Sequence, residues 1–288
     1  MNKLQKNQYK RYTRSKAGNA FYFLFLIFGG IFSILPIVYC VITSFKPLEE
    51  LLLFPPRFFV NRPVFDNYSV LPKLLSNLTV PFSRYVFNSI FITAITLILH
   101  VFLASMAAFV LSKKQFRGRK TLFLFVQLSL LYNSYTLAVP QYIIFSKLHI
   151  IDTYLVYILP YLPSTLGVFL TKQFMDASVP QPLIEAARID GAGFFRIYFK
   201  IAMPISKPAW LTVLLFSFRE LWSLQPQGTV FSEELKTLPS VMNTISQGGL
   251  ARSGSAMAAT ALLMIPTIAV YWLTQSNVMK TMGTSGIK

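Results

Sequence analysis

Six stretches of this chain are apolar on every side, at about residues 20–45, 85–112, 121–146, 153–175, 205–223 and 257–278. A bilayer core of ~30 Å is crossed by about 20 helical residues rising 1.5 Å each, so each stretch predicts one membrane-spanning helix. The expected fold class is all-α: a polytopic membrane protein with six transmembrane helices. Because the stretches are apolar all round, helical periodicity does not separate a lipid-facing side from a bundle-facing side. The first stretch follows a run of bases, as a signal peptide would. At about 25 residues it is too long for one and no small-residue cleavage site follows, so a retained helix is expected. Pro36, Pro140, Pro160, Pro163 and Pro266 fall inside the stretches. Each removes a backbone donor that other groups must replace in lipid. Either a bundle that rearranges around a pathway or the general frequency of proline in membrane helices accounts for them.

Composition agrees with a membrane. Of 288 residues, 54% are hydrophobic and only 13% charged, and the formal net charge is +17. A soluble domain carries roughly a quarter charged residues. The bases gather at the ends of apolar runs, which points to lipid and away from nucleic acid. Six of them precede residue 20, and Lys113, Lys114, Arg117, Arg119 and Lys120 fill the loop after the second stretch. By the positive-inside rule both termini and residues 176–203 are cytoplasmic, and loops 46–84 and 224–256 face outward. The expected organisation is a cytoplasmic basic tail at 1–19, a six-helix transmembrane domain at 20–278 and a cytoplasmic tail at 279–288. Cys40 is the only cysteine, so no intrachain disulfide is possible.

Catalytic patterns are missing. The chain has no G-x-x-x-x-G-K-[ST] phosphate loop, no H-E-x-x-H and no G-x-S-x-G, so ATP hydrolysis, metalloprotease and serine-hydrolase chemistry are not expected of it. No catalytic residue, metal site or cofactor is assigned. His100, in mid-span, fits a helix-to-helix hydrogen bond better than a proton relay, and His149 falls in a short outward loop. Asn77-Leu78-Thr79 matches a glycosylation tripeptide that is common by chance. The spans contain almost no acids of the kind an ion-coupled transporter places at its coupling site; Arg219-Glu220 is the exception, near the outer end of the fifth.

One segment breaks the apolar pattern. "EAARIDGAGFFRIYFKIAMP", residues 185–204, is charged and glycine-broken between two apolar runs. Pro180 and Pro182 suit a helix start. On a wheel, Leu183, Ala187 and, if the helix continues, Phe194 and Tyr198 share one face, with Glu185, Arg188 and Arg196 opposite. Gly191 and Gly193 allow a sharp turn. Such a helix suits docking into another protein's groove, or lying on lipid headgroups.

Glu185-Ala186-Ala187, three residues, Gly191, nine residues and Ile201-Ala202-Met203-Pro204 resemble the EAA signature of ATP-binding-cassette importer permeases, with Met203 where leucine is usual. "TSFKPLEEL", "RYVFNSIFIT", "AAFVLSKKQFRGRK", "LHIIDTYLVYILPY", "KTLPSVM" and the final "TMGTSGIK" extend the likeness along nearly the whole chain. They point to the carbohydrate class, to the shorter permease of maltose-type systems. Trp222-Ser223 departs from the family's W-N near the end of the fifth span.

The resemblance implies a type I importer permease fold in a bacterial inner membrane. It implies a second permease subunit, two cytoplasmic ATPase subunits, an extracellular solute-binding protein and a carbohydrate substrate as partners. It makes 180–204 a coupling segment in which Glu185, Ala186, Ala187, Arg188, Asp190, Gly191 and Pro204 meet the ATPase. Asn133, Tyr135, Gln173 and Trp222 are the polar and aromatic candidates for a sugar pathway. The alternatives are a same-fold permease for another solute such as polyamine, and a self-contained channel or secondary transporter.

Overall fold

The computed structural model describes residues 16–76, 80–132, 134–225, 228–249 and 252–285, and among these there is no strand. Fourteen α-helical pieces follow one another: α1 (Lys16–Ser44), α2 (Leu48–Leu51), α3 (Asp66–Ser76), α4 (Phe82–Lys113), α5 (Arg119–Ser129), α6 (Ala138–Lys147), α7 (Leu155–Ile158), α8 (Thr165–Ser178), α9 (Gln181–Ile189), α10 (Phe194–Ile197), α11 (Met203–Ile205), α12 (Lys207–Trp222), α13 (Leu238–Ser246) and α14 (Ser253–Ser285). Asn133, the Asn77-Leu78-Thr79 tripeptide and most of the N-terminal basic tail lie outside the described residues.

Among the described residues, four helical stretches are long and apolar enough to cross a membrane: 18–44, 82–113, 155–178 and 253–275. A fifth crossing is available if the pair 194–205 and 207–222, bent by 79°, is one broken span. The single helix expected over 121–146 is instead divided between α5 and α6, with a 3-10 turn at Ser134–Leu137 between them. Eleven residues of α5 extend only ~16 Å, too short to span alone. Pro140, in the first turn of α6, is where proline is tolerated because the donor it lacks would be unpaired anyway. Pro160 and Pro163 likewise fall in the 3-10 turn before α8 and just ahead of its cap, whereas Pro36 and Pro266 are carried inside continuous helices.

Helix α4 is the centre, packed on α8 and α12, while α12 also packs on α14. Gly167 makes this approach possible. A Cβ there would meet Ser164 Oγ at 2.1 Å and the side chains of Ala104 and Val213 at 3.0 Å. By contrast, α1 is exposed from Asn19 to Val38 and packs on α14 only through its last turns. That apolar surface requires lipid or another subunit.

Two of the sequence motifs fasten the loops at the end of the bundle remote from α9. In "TSFKP", Ser44 and Lys46 lend their carbonyls to the Asn67 amide at 2.9 and 2.8 Å, and buried Lys46 donates to the Arg57 carbonyl. In "RYVFNS", the Asn88 amide donates to the Glu234 and Lys236 carbonyls at 2.7 and 3.0 Å while Tyr154 donates to its oxygen at 2.8 Å. The Ser89 hydroxyl accepts the Leu238 N–H at 2.7 Å. Asp152 accepts from the backbone of Phe231 and Ser232 and from the Ser232 hydroxyl. These bonds hold its carboxyl below the usual aspartate range, the Ser232 hydroxyl contributing most.

Candidate functional site

Helix α8 ends at Ser178, and Pro180 starts α9, with Pro182 in its first turn. Below this junction the ends of α4 and α8 are locked by polar side chains. Ser112 donates to Asp176 at 2.5 Å, Lys172 pairs with Asp176 at 2.6 Å, and buried Lys113 donates to the Val179 carbonyl at 2.6 Å. A platform fixed in this way can transmit a displacement of α9 into the bundle.

The buried face of α9 differs from the face expected on the wheel. Ile184, fully buried, is the anchor, packed among Ala108, Phe109, Met175, Val179 and Tyr198, with Ala187 beside it. Leu183, grouped with Ala187 on the wheel, is 41% exposed. The helix does not continue to Tyr198: α9 stops at Ile189, and a nine-residue helix is seated by whichever side chain the α4–α8 notch admits.

How α9 stops explains the spacing of the motif. Gly191 has φ +77°, the left-handed conformation that glycine adopts without a Cβ penalty. The Ala192 N–H bonds to the Ala187 carbonyl at 2.9 Å and the Gly191 N–H to the Arg188 carbonyl at 3.0 Å. These two bonds are the Schellman arrangement, whose accompanying apolar contact here joins Ala187 and Ala192 to the same cluster. An alanine four residues before the glycine is the spacing this cap requires. Facing outward are Glu185, Ala186, Arg188 and Asp190, together with Ile189, which is 87% exposed. Glu185 accepts from the Gln181 amide at 3.2 Å and keeps its other oxygen free of any described partner. Sequence reading did not single out Ile189; an isoleucine on the outward side of an otherwise polar helix was the available signal.

The return into the bundle is short and bent. Helix α10 passes into a π-helical turn at Tyr198–Ala202, then α11 and α12. Buried Tyr198 joins its hydroxyl to Ser105 on α4 at 2.7 Å, and its ring stands 5.6 Å from that of Phe109. Pro204 is the second residue of α11, next to the bend, and Trp210 donates to the Met203 carbonyl at 3.2 Å. In mid-bundle, His100 bonds through Nδ1 to the Tyr161 carbonyl at 2.5 Å and through Nε2 to Ser217 at 2.8 Å, a helix-to-helix contact as expected. The carbonyl can only accept, so Nδ1 carries a proton toward it.

Gln173 and Trp222, two of the pathway candidates, lie apart. Gln173 is exposed on α8, in the half nearer α9. Trp222 is the last residue of α12, at the end farther from α9, where its indole donates to the Leu263 carbonyl at 3.0 Å and stacks on Phe218. Tyr135 belongs to the 3-10 turn between α5 and α6, and Asn133 lies outside the described residues.

Comparison with known proteins follows this geometry. The chain is 26% identical over 92% of its length, and 94% of the relative's, to the arabinooligosaccharides transport system permease protein AraQ of Bacillus subtilis. It is 27% identical, over 93% of its length and 95% of the relative's, to the galactooligosaccharides transport system permease protein GanQ of the same organism. Its fold superposes with TM-score 0.74 and 20% identity on a chain of a bacterial ABC transporter involved in import of the acidic polysaccharide alginate, covering 91% of this chain and 98% of that one. The helical architecture is thus that of a type I ABC importer permease. The family model for the binding-protein-dependent transport system inner membrane component matches residues 85–282, and this chain, a multi-pass membrane protein, belongs to that family.

Proposed function

We propose that the chain is the permease subunit of an ATP-driven importer for a sugar or oligosaccharide. With a second permease it forms the membrane pathway, receives solute from an extracellular binding protein, and couples to two cytoplasmic ATPases through residues 180–204. The observation that carries the coupling role is α9 itself. It is keyed into the α4–α8 notch by Ile184 and capped by Gly191, and it turns Glu185, Ala186, Arg188, Ile189 and Asp190 away from the bundle. An exposed isoleucine ringed by charges suits a protein groove better than bulk water, because the apolar centre gives affinity and the charged rim gives orientation. Motion of α9 would reach α12 through Tyr198 and the bent α10–α11 segment. The sugar class rests on the oligosaccharide systems to which the two matched permeases belong.

In this reading residues 1–19 and 279–288 are cytoplasmic tails, 20–278 is the membrane domain of a bacterial inner-membrane protein, and ATP is hydrolysed by the partner subunits. Asn133, Tyr135, Gln173 and Trp222 remain the proposed pathway residues, contacting solute in succession because Gln173 lies in the half of α8 nearer α9 and Trp222 at the end of α12 farther from it. The test is reconstitution of the transporter with Glu185→Lys. Insertion should be kept, while ATPase co-purification and sugar-stimulated hydrolysis should fall about ten- to hundredfold, as expected for a lost charge-assisted contact. A matching charge reversal on the ATPase should restore part of both. Transport at the parent rate would make α9 a membrane-surface helix instead.

A further inference from the structure

We infer that the groove between the start of α5 and α8 is a binding site for the phosphate headgroup of an anionic phospholipid. The groove has a volume of about 600 Å³, and Gln115, Arg119, Lys120, Thr121, Phe123 and Lys172 line it. Lys113, Lys114 and Arg117 stand in the same loop region, making six cations, while Asp176 is the one carboxylate bonded among them. The six are not equally available. Lys113 is buried and committed to Val179, and Lys172 is paired with Asp176 and lies 4.1 Å over the Phe123 ring. Arg119 uses Nη2 to reach the Ser112 carbonyl at 3.0 Å, which fixes the guanidinium and leaves its other donors for a ligand. Lys120 is exposed, with no acceptor among the described residues. Arginine binds phosphate oxygens in pairs and lysine adds a point charge, so the two together suit a phosphodiester.

The adjoining surface selects a lipid over a dissolved anion. Beyond the groove, α5 exposes Leu122 and Leu124 at 52% each and Phe125 at 62%. The groove lies where α4 and α5 leave the apolar zone, the depth of a headgroup, and acyl chains would lie along that apolar face. Basic pockets between membrane helices recognise anionic headgroups in this manner, each cation near the surface contributing about fivefold in affinity, or about 1 kcal/mol.

The experiment is native mass spectrometry of the full-length chain, with the subunits that co-purify, after exchange into mixed phosphatidylcholine and phosphatidylglycerol. The parent should retain phosphatidylglycerol in clear preference to phosphatidylcholine. Lys120→Gln, at an exposed position that leaves the fold alone, should lower that preference about fivefold, and Arg119→Gln with Lys120→Gln about 25-fold. Arg57→Gln with Arg62→Gln, which removes the same charge from exposed positions of another loop, should leave it unchanged. Equal retention by parent and Lys120→Gln overturns the assignment. So does displacement of the lipid by inorganic phosphate at equal concentration, which marks a soluble-anion site. Lipid bound by the isolated chain but absent from the assembled complex also overturns it, by making the groove a subunit contact.

Discussion

His100 of α4 and Ser217 of α12 are joined across the bundle by a 2.8 Å hydrogen bond, and the other nitrogen of the same ring holds the Tyr161 carbonyl. Tyr161 closes the 3-10 turn ahead of Pro163, where the chain has left the α-helical register and frees a carbonyl. One imidazole therefore ties α4, α12 and the break before α8. In the proposed cycle α12 is the helix that the coupling segment moves, so this contact resists that motion.

A double-mutant cycle on His100 and Ser217 measures it. Ser217→Ala is expected to lower stability by about 1 kcal/mol. His100→Leu should do more, because it leaves both the Tyr161 carbonyl and the Ser217 hydroxyl without their partner. The coupling energy should be about 0.6–1.7 kcal/mol, the range for hydrogen bonds between membrane helices. Additive losses, read by thermal unfolding in detergent, would mean that the bond contributes nothing.

Gly191→Ala tests the helix cap. No atom lies within 4 Å of the added Cβ, so the whole effect is the φ of +77°, which strains an L-residue by about 1–2 kcal/mol. Amide exchange over 184–192 should quicken roughly five- to thirtyfold, and ATPase docking should weaken with it. Gly191→Asn should fall between, since asparagine tolerates this conformation better. Unchanged exchange in the alanine variant would remove the cap from the account.

Topology is checked by single cysteines in a Cys40→Ser background. Asn61→Cys and Glu234→Cys, both at exposed positions, should react with an impermeant thiol reagent in intact cells. Arg117→Cys and Gly193→Cys, also exposed, should react only after permeabilisation. Labelling of residue 193 in intact cells would put α9 on the wrong side for an ATPase.

Asp152 gives a pH dependence. Its carboxyl is held below the ordinary value, so its bonds to residues 231–232 are complete above about pH 4 and are lost as pH falls through the lower folded value. Because the carboxyl is largely solvated, about 1 kcal/mol is expected, seen as faster proteolysis of residues 228–237 on acidification. Asp152→Asn should abolish the acid step while keeping one acceptor for the loop. An unchanged acid step in that variant would assign it to another group.

Run length and apolarity alone specify the membrane class and the long helices α1, α4 and α14, because about 20 apolar residues in a row have one low-energy solution in a bilayer. The Ala187–Gly191 spacing likewise encodes the end of α9, through a cap made within six residues. Tertiary structure decided the rest. The split of 121–146 into α5 and α6, the 79° bend before α12 and the seating of Ile184 in place of Leu183 depend on which surfaces meet. In an apolar helix, periodicity carries no mark of the face that packs. The partners of Asn67, Asn88 and His100 were equally hidden: the bond from Asn88 to Glu234 spans 146 residues, and the partner of a buried side chain is fixed only when the helices carrying both are side by side.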